Sequence, residues 1–201
     1  MTAAPSIIIA VEDELSAAVM ERLIIFSERN FTINRVVNTR GNGMLKKKIP
    51  IFRAASQTLP HIVLTDLDRC PCSSVLLHDW GATQLPKNLL FRIAVREVEA
   101  WLLADKMGVS EFLHIDINKV PDNPETEDDP KQTLINLARK SKKPKLLQGF
   151  IPDKSSSAPI GPLYNSCCIS FVNTQWNIMR ARQNAPSLDR ALLRIATFLS
   201  E

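Results

Sequence analysis

Two short apolar runs, each ending in carboxylates, constrain the fold of this chain most strongly. Residues 6–11 are followed by Glu12, and residues 61–65 are followed by Asp66 and Asp68. Apolar runs of this length that alternate with helical patterns are typical of parallel strands buried on both faces. Open α/β sheets bind their ligands at the carboxyl ends of such strands. The sequence therefore predicts an α/β protein with an acidic site at one edge of a mainly parallel sheet.

The rest of the pattern predicts two further strands and a helical C-terminal part. The strands are expected at 31–37 and 88–95. Helices are expected at 13–27, in a basic stretch before Pro60, at 73–80, from 96 to about 108, and at about 129–143, 161–184 and 187–199. We therefore predict an α/β core at 1–108 and a helical extension at 109–201 that packs on the core as one compact unit.

Composition places the chain among ordinary globular proteins. Of its 201 residues, 45% are apolar and 23% are charged. No apolar run is long enough to span a bilayer and the N-terminus lacks a signal-like pattern, so we expect a cytoplasmic protein without a membrane partner. The net charge of +4 is compatible with a phosphate-bearing partner but does not require one.

The acids after the two strands predict a metal site. Asp66 and Asp68 are two apart in extended backbone, so both side chains project to the same side. Clustered acids repel one another unless a cation neutralises them, and Mg²⁺ or Mn²⁺ prefers such oxygen ligands. Glu12 is a candidate ligand or general base, with Asp13 and Glu14 as secondary candidates. The structural alternative for the two aspartates is a capped turn.

A third acidic segment follows the predicted fourth strand. If a helix begins at Arg96, at most one of Glu97 and Glu99 can face the site, because residues two apart on a helix diverge. Glu97 is nearer the strand end and is the preferred catalytic candidate, with Glu99 as a secondary one. Arg96 could hold a phosphate or pair with a neighbouring acid. Trp101 is expected in the core.

Basic residues occur in two segments that could contact a polyanion. The phosphate-binding candidates are Lys46, Lys47, Lys48 and Lys131. A solvated helix face is the alternative explanation for both segments. The four cysteines lack the spacing of a zinc hairpin and are expected as free thiols.

The acid after a first strand and the Asp-x-Asp after a later one resemble the TOPRIM domain of topoisomerases, primases and OLD-type nucleases. Segments 11–15, 64–68 and 94–105, together with 129–131 and 161–165, look like a TOPRIM-related bacterial family of unknown function. The resemblance implies a Mg²⁺-dependent phosphodiesterase or nuclease that acts on DNA or RNA, with defence against phage as one setting. It supports Glu12 and Glu97 as catalytic residues and Asp66, Asp68 and Glu12 as metal ligands.

A non-catalytic alternative has the same fold and works with a partner such as an ATPase. TOPRIM nucleases usually carry glycine directly after the first-strand glutamate and an acid slightly later. This chain has Asp13 and Ser16 there, which favours the interaction module. The retention of Glu12, Asp66, Asp68 and Glu97 favours the enzyme.

Overall fold

A four-stranded parallel sheet organises the protein. The computed structural model describes residues 4–143, 147–153 and 157–199, and within these residues the sheet has the order β2-β1-β3-β4. Its strands are β1 Ser6–Val11, β2 Thr32–Asn38, β3 His61–Asp66 and β4 Leu89–Ala94. All three strand pairs are parallel. The predicted α/β class is confirmed, as is the prediction that the first and third strands are parallel neighbours.

Helices cover both faces of this sheet. Helix α1 (Glu14–Phe26) shares one core with alternate residues of the strands, whereas α2 (Asn42–Ala55) and α3 (Ser73–Asp79) share a second core on the opposite face. The chain runs outward from β1 to β2, returns across β1 to β3, and continues outward to β4. The order of connection thus reverses between β1 and β3, and ligands of open α/β sheets bind at such a point.

The C-terminal half packs on the face that carries α1. Its helices are α4 Val98–Leu103, α5 Lys106–Leu113, α6 Pro130–Ala138, α7 Tyr164–Thr174, α8 Ile178–Ala181 and α9 Pro186–Ala196, with 3₁₀ turns at Ile117–Lys119 and Pro124–Thr126. Their apolar residues belong to the same core as β1 and α1, and Trp101 is fully buried there as expected. No helix in the described part of the chain combines the length and the apolar character of a membrane span.

Two predicted helices are interrupted in the structure. The helix expected from 96 to about 108 is α4 followed by α5, and the helix expected at 161–184 is α7 followed by α8. In each case a polar side chain starts the second helix: Asp105 accepts a hydrogen bond from the Gly108 amide, and Asn177 accepts one from the Arg180 amide. The helix expected at 129–143 ends earlier, at Ala138. The predicted boundary at 108 falls inside α5, and the division into two parts stays a prediction.

Asp105 joins these helices at a fully buried point. Its carboxylate accepts from the Gly108 amide at 3.1 Å and from the Asn177 amide at 2.8 Å, and the Arg180 guanidinium donates two bonds of 2.6 and 3.0 Å. A Cβ on Gly108 would lie 2.3 Å from the Asp105 carboxylate, so this position requires glycine. The four hydrogen bonds fix α8 against the start of α5.

Ser187 makes a second link between the halves of the chain. Its hydroxyl oxygen accepts from the Trp101 indole at 2.7 Å and from the Val95 amide, just after β4, at 3.2 Å. The Ser187 amide donates to the Glu125 carboxylate at 2.7 Å, which satisfies a free N–H in the first turn of α9. The end of β4 is therefore completed by the start of α9.

Candidate functional site

Glu12 lies where β1 ends, at the reversal point of the sheet. One carboxylate oxygen accepts from the Thr65 hydroxyl at 2.5 Å and from the Asp66 amide at 3.0 Å. Only 9% of the residue is exposed. Burial raises the pKa of Glu12, the two hydrogen bonds oppose this, and the negative charges of Asp68 and Asp13 add to the increase. The ends of β1 and β3 thus hold a carboxyl group that is easier to protonate than an exposed one.

Asp66 ends β3 and connects the sheet to α4. One of its oxygens accepts from the Val98 amide at 3.0 Å, at the first turn of the helix. Burial raises the pKa of Asp66 well above its ordinary value, and Glu99 and Glu12 are the nearby negative charges that raise it most. Because burial and repulsion both disfavour the charged form, a cation bound here would stabilise the ionised carboxylate.

Asp68 lies in the loop after β3, in left-handed backbone with φ of +50°. Its carboxylate accepts from the Asn42 side-chain amide, at the start of α2, at 2.7 Å. The Arg96 guanidinium donates to the backbone carbonyls of Asp68 at 3.1 Å and Cys70 at 3.2 Å. Arg96 therefore holds the backbone of this loop, where the sequence suggested a phosphate contact or an acid pair.

Glu97 and Glu99 both face Lys131. The Lys131 amide donates to Glu97 at 3.0 Å, and its ammonium lies 3.9 Å from Glu97 and 3.4 Å from Glu99. The expectation that at most one of these acids faces the site assumed a helix that begins at Arg96, whereas α4 begins at Val98. Glu97 precedes the helix in extended backbone, with φ −141° and ψ 161°, so helical spacing does not separate the two side chains.

Glu99 is the most deeply buried acid of the site, at 1% exposure. One oxygen accepts from the Tyr164 hydroxyl at 3.1 Å, and the other, Oε2, is buried without a hydrogen bond from any described residue. Burial raises the pKa of Glu99 to about 7; Lys131 opposes the increase and Glu97 adds to it. Glu99 can therefore exchange a proton near neutral pH.

Lys131 supplies the positive charge inside this cluster. Burial alone would lower the pKa of its ammonium, but the carboxylates of Glu99, Glu97 and Asp66 outweigh burial and raise it. The side chain keeps 34% exposure. It was predicted to bind phosphate, and it remains charged and accessible while it pairs with the glutamates.

A cleft of about 370 Å³ opens beside these groups. Its lining consists of acids and arginines, namely Asp68, Arg69, Arg96, Glu97, Asp128 and Asp129. Predicted site residues therefore line an opening together with two guanidinium groups, which are the side chains best suited to bind phosphate oxygens.

Other predicted residues lie at the margin of the site or outside it. Asp13 starts α1 by accepting from the Ser16 amide at 2.8 Å, and its φ of −148° requires no glycine. Glu14 is exposed. Lys46 pairs with Asp79 of α3 at 2.6 Å, and the structure does not bring it to the carboxylates. Lys47 is exposed and Lys48 half-buried on the same helix.

Three residues that position the acids were not predicted. Thr65 binds Glu12, Asn42 binds Asp68, and Tyr164 binds Glu99. Thr65 and Asn42 are short polar residues in unremarkable positions, so the sequence contains no signal for them. Tyr164 is the single tyrosine of the chain, and this rarity is the one feature of the sequence that could have drawn attention to it.

The donor chemistry of the site suits a hard divalent ion. Glu12, Asp66 and Asp68 each use one carboxylate oxygen in the hydrogen bonds above, which leaves a second oxygen, and Oε2 of Glu99 is a buried orphan. The described residues nevertheless contain no group of three or more His, Cys, Asp or Glu side chains placed to hold one ion. Shared coordination therefore requires these side chains to turn toward one another.

Comparisons with family models, curated proteins and solved structures find no match to this chain. The TOPRIM resemblance accordingly stays a prediction.

Proposed function

We propose that the protein is a Mg²⁺- or Mn²⁺-dependent phosphodiesterase of the TOPRIM type that acts as a nuclease on DNA or RNA. The observation that supports this most is the position of Glu12 and Asp66 at the reversal point of the sheet, where burial and nearby negative charges raise both pKa values. A buried carboxylate near other negative charges lowers the stability of the folded protein, and a bound cation commonly offsets this loss. Defence against foreign nucleic acid is the setting that the TOPRIM resemblance suggests.

Asp66, Asp68 and Glu12 are the residues that would hold the ion. When bound, a divalent ion polarises a phosphodiester and lowers the pKa of a coordinated water. The hydrogen bonds from Thr65 to Glu12 and from Asn42 to Asp68 engage one oxygen of each carboxylate, which leaves the other oxygen of each for the ion.

The remaining groups bind substrate and move protons. Arg69 lines the cleft, and the ammonium of Lys131 lies beside the cleft residue Glu97, so both are suited to contact phosphate oxygens. Glu12 and Glu97 are the proposed proton acceptors, because burial raises the pKa of each and makes it a stronger base than an exposed carboxylate. The lysines of α2, Lys46 to Lys48, would contact the nucleic-acid backbone outside the cleft, and Lys46 would exchange its partner Asp79 for a phosphate.

The test compares Asp66→Asn with Asp116→Asn. Asparagine at 66 can still accept the Val98 hydrogen bond but carries no charge, whereas Asp116 is an exposed residue that starts a 3₁₀ turn. Cleavage of single- and double-stranded DNA and RNA is measured with Mg²⁺, with Mn²⁺ and with EDTA. We expect cleavage that needs the ion, a loss of about a hundredfold or more in Asp66→Asn, and unchanged activity in Asp116→Asn. Cleavage in EDTA, or equal rates in the two variants, would refute the proposal.

One observation favours the non-catalytic alternative. Lys131 already places a cation beside Glu97 and Glu99, so part of the negative charge is compensated without metal. In that case the site would serve as a surface for a partner such as an ATPase. No substrate would be cleaved, and neither ion would shift the melting temperature.

A further inference from the structure

A groove of about 1200 Å³ runs along the free edge of the sheet at β4. Its lining does not include Glu12 or Asp66. Residues 89–92 of the edge strand β4 form its floor. One wall comes from α3 and the chain between α3 and β4, and includes Leu77, Ala82 and Leu85. The other wall comes from α9 and the residues just after it, and includes Arg190, Leu193 and Arg194.

The backbone of β4 is available at this groove. The carbonyls of Asn88 and Ala94 accept from His61 and Leu67 on the β3 side. In a parallel ladder alternate residues direct both backbone groups to the same neighbour, so the odd-numbered residues of β4 point outward. At the two ends, the Leu89 amide donates to the Pro86 carbonyl and the Val95 amide donates to Ser187. Between them, the N–H and C=O of Phe91 point away from β3 at the groove.

The α9 side of the groove is strongly positive. Arg92 projects from β4 to the face that α9 covers, near Arg190 and Arg194. No acidic side chain of the described residues forms an ion pair with any of these three arginines. The Nε atom of Arg92 is buried and has no hydrogen-bond partner in the part of the chain that the structure describes. Burial lowers the pKa of Arg92 to about 10, and the positive charges of Arg194 and Arg190 add to the decrease. An anion bound here would therefore stabilise the charged form of Arg92.

The opposite side of the groove is apolar. Side chains alternate between the two faces of a strand, so Phe91 lies on the face that α2 and α3 cover, in one core with Leu76, Ala82 and Leu89. Leu77 and Leu85 pack against this core and line the groove. An extended chain placed beside β4 would thus meet arginines on one of its faces and apolar side chains on the other.

We propose that this groove binds an extended segment of a partner protein that alternates acidic and apolar residues and adds to β4 as a fifth strand. The backbone at Phe91 would supply ladder hydrogen bonds, the acidic side chains would pair with Arg92, Arg190 and Arg194, and the apolar side chains would cover Leu77 and Leu85. This surface is separate from the carboxylate site, and the proposal does not depend on nuclease activity.

The experiment uses the full chain and a short capped peptide of alternating glutamate and valine. Affinity is measured by fluorescence anisotropy, and protection of the Phe91 amide is followed by hydrogen exchange. We expect binding that weakens about tenfold in the double variant Arg190→Gln, Arg194→Gln. Both arginines are exposed, so the fold should be retained. Arg139→Gln, an exposed arginine just after α6, is the matched control and should bind normally.

Control ligands separate strand addition from simple charge attraction. A peptide with lysine in place of glutamate should not bind, and one with a central proline should bind weakly because proline lacks the N–H that a ladder needs. The proposal is overturned if the glutamate–valine peptide fails to bind, if the proline peptide binds equally, or if the double variant binds normally. It is also overturned if a short single-stranded oligonucleotide binds the groove more tightly than the peptide. Self-association that the double variant abolishes would assign the groove to a second copy of the chain.

Discussion

Asp105 and Glu99 are both buried carboxylates in the C-terminal half of the protein, yet their surroundings differ sharply. Asp105 is fully buried and accepts four hydrogen bonds, two of them from one guanidinium. Glu99 is 1% exposed, accepts one hydrogen bond from Tyr164, lies 3.4 Å from Lys131, and has one oxygen without a partner among the described residues.

The difference separates a structural acid from a candidate functional one. A buried carboxylate that is fully paired stabilises the folded state relative to the same carboxylate left alone. A buried carboxylate that is partly paired costs stability, and its pKa rises, here to about 7. Perturbed acids of the second kind cluster at functional sites, which is why burial alone does not identify the site.

The largest expected effect comes from removing the structural acid. Asp105→Ala would leave the Gly108 and Asn177 amides without their acceptor and Arg180 without its partner. We expect the free energy of unfolding to fall by about 4 kcal/mol, measured by urea denaturation. Asp189→Ala, which breaks the more exposed pair with Arg182, should cost less than about 1 kcal/mol. Equal losses in the two variants would contradict the structural role of Asp105.

The second prediction concerns pH and Glu99. The unfolded chain releases this proton near the ordinary value of 4.5, whereas the folded protein keeps it up to about 7. The folded state therefore binds more protons in this window, and stability should fall as pH rises through it, by up to about 3 kcal/mol from this residue.

Glu99→Gln tests this directly. Glutamine can accept from Tyr164 but does not titrate, so the decline in the free energy of unfolding from about pH 4.5 to 7 should be reduced. Glu12, Asp66 and Glu97, whose pKa values are also raised, keep part of it. Glu111→Gln, an exposed control, should match the wild type. A variant at 99 with the full wild-type slope would show that Glu99 titrates normally.

A third prediction concerns metal binding by the acids of the candidate site, which the fully paired Asp105 should not share. Mg²⁺ or Mn²⁺ should raise the melting temperature, since a ligand at a hundred times its Kd adds about 2.7 kcal/mol of stability. Asp68→Asn should largely abolish this shift while the metal-free protein stays as stable or becomes more stable. Asparagine tolerates the left-handed backbone of this position and relieves repulsion with Glu12. An equal shift in both proteins would exclude Asp68 as a ligand.

The smallest effect on stability is expected at the lysines of α2. Replacing Lys46, Lys47 and Lys48 with glutamine should change the free energy of unfolding by less than about 0.5 kcal/mol. Affinity for duplex DNA should fall, and the log–log salt slope should flatten by about 0.9 per lost phosphate contact. The matched control replaces Lys140, Lys142 and Lys143. If only the control variant loses affinity, the basic segment at 140–143 carries the contacts with the nucleic-acid backbone.

The sequence predicts the sheet better than it predicts the site. The alternation of apolar runs and helical periods is local information, and it places the four strands within about two residues. The interruptions at Asp105 and Asn177 depend on hydrogen bonds to side chains that compete with helix continuation, so periodicity alone missed them.

Within the site, Glu12, Asp66 and Asp68 could be predicted because they follow the ends of two parallel strands, and such ends lie at the same edge of the sheet. The role of Glu99 depends on Tyr164, 65 residues away in the chain, and on Lys131 from α6. Such contacts arise from packing of the C-terminal helices, which one-dimensional periodicity does not encode. The expectation that only one of Glu97 and Glu99 faces the site followed from helix geometry that the structure does not adopt at residue 97, and Glu97 was preferred because it is nearer the strand end.

The link through Ser187 has a consequence for folding during synthesis. Ser187 follows Val95 by 92 residues, yet its hydroxyl completes the end of β4 and accepts from the buried Trp101 indole. At about 5–20 residues per second, the ribosome needs about 5–20 s to produce that interval of chain. Throughout it, the nascent sheet has an incomplete edge and an indole N–H without its acceptor. The hydrogen bonds that complete the end of β4 therefore form only after α9 has been synthesised, and until then the incomplete edge of the sheet is open to incorrect pairing.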